Sequence, residues 1–289
     1  MSAVPHWLPA WVPRPRFARS WSARIGLALT ASVLLIAVLG PFFAPHSPSE
    51  LAGGSYAPPS GAFPFGTDLL GRDVLSRVLW GGRSVVGYAV IATALAYLVG
   101  GTIGLVSGYS RSLVDPVLMR FVDILLAIPP FLLLLVLATG LGTTPAVLIV
   151  GVAAIHVPGI ARIVRAATLE VSVRGYVEAA VARGETTSAI LRRQILPNIT
   201  GTVIADGGPR LTISILLVAG LNYLGIGLQP PAADWALMIS ENRPGLNIQP
   251  WSVAIPALLI AMLTIGVNVL ADAIARSRGV SVDDELIRR

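Results

Sequence analysis

Five stretches of this sequence contain no Asp, Glu, Lys or Arg over a length that can cross a bilayer: residues 25–45, 84–110, 124–161, 211–233 and 244–271. A helix rises about 1.5 Å per residue, so about 20 residues traverse the roughly 30 Å of hydrocarbon. The third stretch is nearly twice as long as a span needs, and Gly140-Leu141-Gly142-Thr143-Thr144-Pro145 interrupts it. It reads as two helices in a hairpin, giving six spans in all. The third span is expected to begin near Val117, to pair Arg120 with Asp123 three residues on, and to kink at Pro129-Pro130.

With 54% hydrophobic residues, 12% charged residues and a mean hydropathy of +0.76, the chain has too little polar surface for a water-soluble globule. All 21 basic residues are arginine, and cysteine is absent. That removes P-loop and Schiff-base lysines, thiolate nucleophiles, iron–sulfur ligation and disulfides. His6, His46 and His156 are too scattered for a helix-borne zinc site.

Arginine distribution sets the topology. With residues 1–24, 111–120, 162–210 and 276–289 inside, 17 arginines face the cytoplasm and four (Arg72, Arg77, Arg83 and Arg243) face outward. The positive-inside rule then places both termini in the cytoplasm of a multi-pass membrane protein and accounts for the net charge of +6 without nucleic acid. The first span reads as an anchor: its apolar run is longer than a signal peptide's, and Pro45 follows Ala44. Trp7, Trp11 and Trp21, among Pro5, Pro9, Pro13 and Pro15, suit interfacial anchoring.

Within the second span Ala92, Ala96, Gly100, Gly104 and Gly108 recur every four residues, a face on which another helix can pack closely. His156, beside Pro158, reads as a satisfied packing residue, and Asn222 and Asn268 as interhelical hydrogen-bonding groups. Asp234, Glu241 and Arg243, on the outer side, are candidate contacts for a docking receptor.

The inner segment between the fourth and fifth spans carries the functional pattern. Residues 176–183 form a helix rich in alanine, Gly184 ends it, Thr186 to Ser188 cap the next, and Pro197 stops that one. Small Ala179 and Ala180 let the first helix seat in a groove of another protein, and Glu178 is expected to form an ion pair within the loop or across a subunit boundary.

The spacing Glu178-Ala179-Ala180, Gly184, Leu196-Pro197 resembles the EAA loop of ABC importer permeases. Two further motifs are similar to the C-type subunit of the dipeptide, oligopeptide and nickel permeases. One comprises Gly66, Thr67, Asp68, Gly71, Arg72, Asp73, Ser76 and Arg77, followed by Gly81 and Arg83-Ser84; the other runs from Asn222 to Pro231 with Asp234-Trp235. Gly108-Tyr109, Asp115, Met119-Arg120, Asp123 and Pro129 resemble that family's third-span entry.

The resemblance implies an all-α membrane fold: a cytoplasmic segment 1–24, a six-span permease domain 25–276 with a coupling loop at about 170–200, and a tail 277–289. It implies a permease for dipeptides or oligopeptides that is not itself an enzyme and binds no cofactor. ATP and Mg would be held by two partner ATPase domains, which couple through Tyr176, Glu178, Ala179, Ala180, Arg183, Gly184, Leu196 and Pro197. A second permease, an external substrate-binding protein and membrane lipid are the other implied partners, in a bacterial cytoplasmic membrane. The 66–77 motif is expected to form a structural turn that packs on the partner permease.

Two departures stand out. Gln194 replaces the basic residue that often precedes Leu-Pro, although Arg192 and Arg193 adjoin it, and Asp272 with Arg276 is expected to form an i, i+4 pair where the family has a glycine-aspartate pair. A permease for nickel chelates or another small solute remains an alternative, as does a gradient-driven secondary transporter; against the latter, most acidic residues are placed at span ends. An intramembrane enzyme lacks a catalytic pair.

Overall fold

The computed structural model describes residues 20–110 and 112–277, and the described residues are helical apart from their connecting segments. The expectations for residues 1–19 and for 278–289 lie outside the described residues. Helix α1 (Trp21–Leu39) starts on Ser20, whose hydroxyl accepts from the Ala23 N–H at 3.1 Å. An irregular segment leads to Asp73, which caps α2 (Val74–Tyr109). Next come α3 (Val114–Leu126) and α4 (Pro130–Leu141), then α5 (Pro145–Ser172), α6 (Gly175–Ala182), α7 (Thr187–Ile190), α8 (Leu196–Tyr223), α9 (Trp235–Asn242) and α10 (Trp251–Ser277).

Helices α1, α2, α5, α7–α8 and α10 are each long and apolar enough to cross a membrane, and α3 with α4, bent by 84°, are so only together, giving five spans or six with that pair counted as one. The bend has a local cause. Pro130 opens α4 without an N–H to donate, and Pro129 and Pro130 each disfavour helical backbone at the residue before, Ile128 and Pro129. The expected Arg120–Asp123 pair does not form. Asp123 is taken by Arg162 of α5 at 2.5 Å, while Arg165 holds Asp115 through two nitrogens, each at 2.6 Å.

Packing centres on α2 and α5. Placing a Cβ on Gly100, Gly104 or Gly108 would bring it within 2.7, 2.6 and 2.7 Å of the carbonyl oxygens of Val157, Ala161 and Arg165. The four-residue repeat on α2 thus meets a four-residue repeat of backbone on α5, and only missing side chains permit that distance. The expected close-packing face is there, and its partner is α5.

Helices α1 and α10 run side by side, with Arg276 reaching the Ser22 hydroxyl at 3.3 Å, so both described ends lie on one side of the bundle, called here the termini side. That contact also corrects the expected Asp272–Arg276 pair: Arg276 reaches across to α1. The fifth span begins earlier than its uncharged tract, because α8 carries Asp206 and Arg210 inside it as an i, i+4 pair at 3.2 Å. Mutual neutralisation lets the helix continue through both.

Candidate coupling site and its supports

On the termini side, α6 is bound to the bundle by one face. Val177 and Ala180 are buried against Val171, Ile190 and Ile195, whereas Tyr176, Glu178, Ala179, Arg183 and Gly184 are exposed. Ala180 therefore gives its small size to the chain's own interior, and Ala179 alone of the two presents a low profile outward. Beneath α6, a cleft of about 1110 Å³ separates it from the ends of α2 and α3, with Glu178, Tyr109 and Val114 on its walls.

Gly184 ends α6. Its φ is +76°, its N–H reaches Val181 O at 2.9 Å and the Glu185 N–H reaches Ala180 O at 3.2 Å. That is the Schellman pattern, and a Cβ there would meet no neighbour, so left-handed backbone rather than space selects glycine. Thr186 then caps α7 through the Ala189 N–H at 3.3 Å. Arg183 turns to Glu185 at 2.6 Å. An intraloop partner for Glu178 does not form, and its carboxylate is exposed.

Pro197 does not stop the second helix. A π-turn, Leu191–Ile195, carries α7 straight into α8, with the Leu196 N–H donating to Leu191 O. Pro197 sits in the first turn of α8, where a missing N–H is tolerated. The loop is thus one free helix followed by a lever continuous with the fifth span, and Leu196 and Pro197 lie exposed at its root. Proline as a breaker was the misleading signal.

On the opposite side, the motif of residues 66–77 folds into a buried clamp. Thr67 Oγ1 donates to Gly54 O at 2.6 Å and accepts from the Ala57 N–H at 2.7 Å; Gly66 and Gly71 take positive φ at its turns. Asp68 accepts from Arg72 Nε at 2.6 Å and Arg77 Nη1 at 2.5 Å, and both arginines reach Glu241 of α9, at 2.9 and 2.8 Å. Asp73 accepts from the N–H and hydroxyl of Ser76 at 3.0 and 2.6 Å.

These residues are buried within their own chain and join the start of α2 to the segment after α8 as a structural turn, while Leu69 and Leu70 of the same segment are exposed. Glu241 and Asp234 are likewise inward rather than docking contacts. Asp234 is fully buried and caps α9, accepting from Ser84 Oγ at 2.5 Å and from the Ala236 and Leu237 N–H groups. Burial raises its carboxyl above the usual range despite the opposing hydrogen bonds from Ser84, Leu237, Asn222 and Ala236. Arg243 is exposed.

Two features escaped the sequence reading. Trp235 is fully buried in a core shared by α1, α2 and α10, with its Nε1 donating to Val78 O at 2.8 Å. Within α8, Asp206, an acidic residue away from the helix ends, accepts from Tyr97 Oη at 2.7 Å and pairs with Arg210. The i, i+4 spacing of Asp206 and Arg210 was the available signal. His156 is buried there without a hydrogen-bond partner for Nε2, so it is not the satisfied packing residue expected. Asn222 bonds locally rather than between helices: its Oδ1 accepts from the Leu228 N–H, in the segment after α8, at 2.9 Å.

Residues 100–280 match the family described as the binding-protein-dependent transport system inner membrane component. The chain belongs to that family of permeases. Residues 9–59 also match the N-terminal transmembrane domain of oligopeptide transport permease C. Among curated relatives, the dipeptide transport system permease protein DppC of Haemophilus influenzae is 33% identical, covering 89% of this chain and 90% of its own length. The oligopeptide transport system permease protein OppC of Bacillus subtilis is 33% identical over 90% of this chain and 85% of its own.

In fold, the chain is similar to a chain of the MetNI methionine ABC transporter in an inward-facing conformation, with a TM-score of 0.56 and 20% identity, covering 71% of this chain and 96% of that one. The protein is a membrane-embedded ABC importer permease and not itself an enzyme.

Proposed function

We propose that this permease imports short peptides, paired with a second permease, driven by two ATPase domains that hold ATP and Mg, and supplied by an external substrate-binding protein. The substrate class is supported by relatives named for dipeptide and oligopeptide transport at 33% identity over most of the chain. In this reading the termini side is the cytoplasm, since even without Arg162 and Arg210, which lie within α5 and α8, the arginine split is 15 to 4, and residues 1–24 and 277–289 extend the 25–276 permease domain on that side.

The observation that carries the coupling role is the construction of residues 175–223. Helix α6, held to the bundle by one face, presents Tyr176, Glu178, Ala179 and Arg183 on the other, and a Schellman turn, α7 and a π-turn join it to α8. When nucleotide-driven closure moves the ATPases, force on α6 passes to α8 and tilts the fifth span, one arm of a two-state element biased from a distance. Glu178 is free to meet a basic residue of the ATPase.

In the reconstituted complex, Glu178→Arg with Gly184→Pro should leave insertion intact and uncouple ATP hydrolysis from dipeptide uptake. Normal ATP-dependent uptake by that variant would overturn the coupling role.

A further inference from the structure

Charged groups lie near the midpoints of two helices long enough to span a membrane. Gly159 lies at the midpoint of the 28-residue α5 and Arg210 at the midpoint of the 28-residue α8. Arg210 gives Asp206 only its Nε and lays both terminal nitrogens over Gly159, where a Cβ would approach each to 2.7 Å. One turn away, Arg162 spends Nη2 on Asp123, and the two side chains stay 54% and 49% exposed. Between the pairs, α5 carries Gly159, covered by the Arg210 guanidinium, and the exposed Ala166.

Asp206 also borders the exposed stripe of α8 formed by Thr202, Pro209, Ile213 and Leu216. Half-exposed carboxylates and guanidinium groups at this depth are incompatible with a lipid-facing surface, since each costs several kcal/mol in hydrocarbon. The face therefore borders water or protein. His156 lies one turn before Gly159, within electrostatic reach of Arg210 and Asp206, and its enclosed Nε2 has no partner.

We propose that this face of α5, bordered by Asp123 and Arg162 on one side and by Asp206, Arg210 and His156 on the other, is a solute-contact site along the path that takes a zwitterion. The carboxylate of the solute meets the uncommitted nitrogens of Arg210 and Arg162, and its ammonium meets Asp206 or Asp123. Both signs are present in equal number, which suits a molecule carrying one of each and repels neither end. The inference rests on the peptide reading, in which the charges are the free ends of a short peptide.

The test uses the whole transporter, with its ATPases and receptor, in proteoliposomes loaded with ATP and offered a radiolabelled, unblocked dipeptide. Arg210→Gln and Asp206→Asn should each lower uptake at least about tenfold, the worth of a charge-assisted hydrogen bond, with the complex still assembled. Gly159→Ala keeps the ion pair but displaces the flexible end of Arg210, and should lower uptake as well.

The reversed pair, Asp206→Arg with Arg210→Asp, separates the roles. A tie between residues would be restored by the exchange, whereas a site built for a fixed solute orientation stays impaired. Recovery of uptake by the exchange, unchanged uptake in Gly159→Ala, or loss of the second permease from the single variants would each overturn the site. If the unsubstituted transporter imports no dipeptide at all, the peptide reading fails and takes the zwitterion assignment with it; wild-type import with equal import by the variants overturns the site alone.

Discussion

Arg77, with no exposed surface, donates to Asp68 at 2.5 Å, an equally buried carboxylate nine residues earlier. The same nitrogen reaches Glu241 at 2.8 Å, and Arg72 repeats both contacts, so two cations and two anions close on each other where α2 enters the bundle. Asp68, Arg72, Arg77 and Glu241 thus form a neutral knot that pins α9 and the segment after α8 to α2.

Removing one member leaves buried charge uncompensated. Arg77→Gln should destabilise the protein by about 3–5 kcal/mol, whereas Glu241→Gln, at the more exposed edge of the knot, should cost less. Thermal unfolding of the detergent-solubilised complex measures both; an Arg77→Gln protein with an unchanged midpoint would contradict the knot.

The α2–α5 contact predicts a sharp contrast between neighbouring glycines. Gly104→Val must push against Ala161 O, which a Cβ already approaches at 2.6 Å, and should cost about 1–3 kcal/mol or more as overpacking. Gly101→Ala meets nothing within 4 Å and should be neutral or slightly stabilising, because alanine favours helix. Yield and melting temperature of the two variants, compared side by side, decide the matter.

Much of this arrangement can be read from residue types. Charge-free length places the spans, and the four-residue run of small side chains on α2 marks a tight helix contact because no other property of the sequence explains that spacing. Gly184 announces a left-handed turn for the same reason. Partnership is what the sequence conceals. Asp68, Asp234 and Glu241 look like surface groups until the chain folds residues 66–77 against 232–242, and Asp123 lies within reach of Arg120 along one helix yet finds Arg162 on another. Pro197 reads as a stop only where helical hydrogen bonding is assumed regular; the π-turn before it removes the conflict.

Asp234 supplies a pH dependence. Its folded carboxyl is raised by burial above the unfolded value. Such a group contributes most below the unfolded value, and the contribution is lost as pH rises from there through the raised folded value. Asp234→Asn, which keeps an acceptor for Ser84, should therefore be less stable than the parent at acid pH relative to the same comparison at neutral pH. Melting temperatures of both proteins between about pH 4 and pH 8 give the difference, which should shrink or reverse as pH rises; a difference that widens would refute the raised carboxyl.

The two alanines of α6 test whether its exposed face does the docking. Ala180 has no exposed surface and packs in the group formed by Val177, Ile190 and Ile195, so Ala180→Trp should dislodge α6 from its own chain and lower thermal stability by about 1–3 kcal/mol. Ala179 is exposed beside it, and Ala179→Trp should leave the isolated permease as stable as the parent. In the proposed complex the same bulk stands on the surface that the ATPase receives, so ATPase retention on affinity purification should fall for Ala179→Trp while the melting temperature does not. Full retention of the ATPases by a stably folded Ala179→Trp protein would move the docking surface elsewhere on the loop, with Arg192, Arg193 and the root of the lever at Leu196 and Pro197 the next residues to substitute.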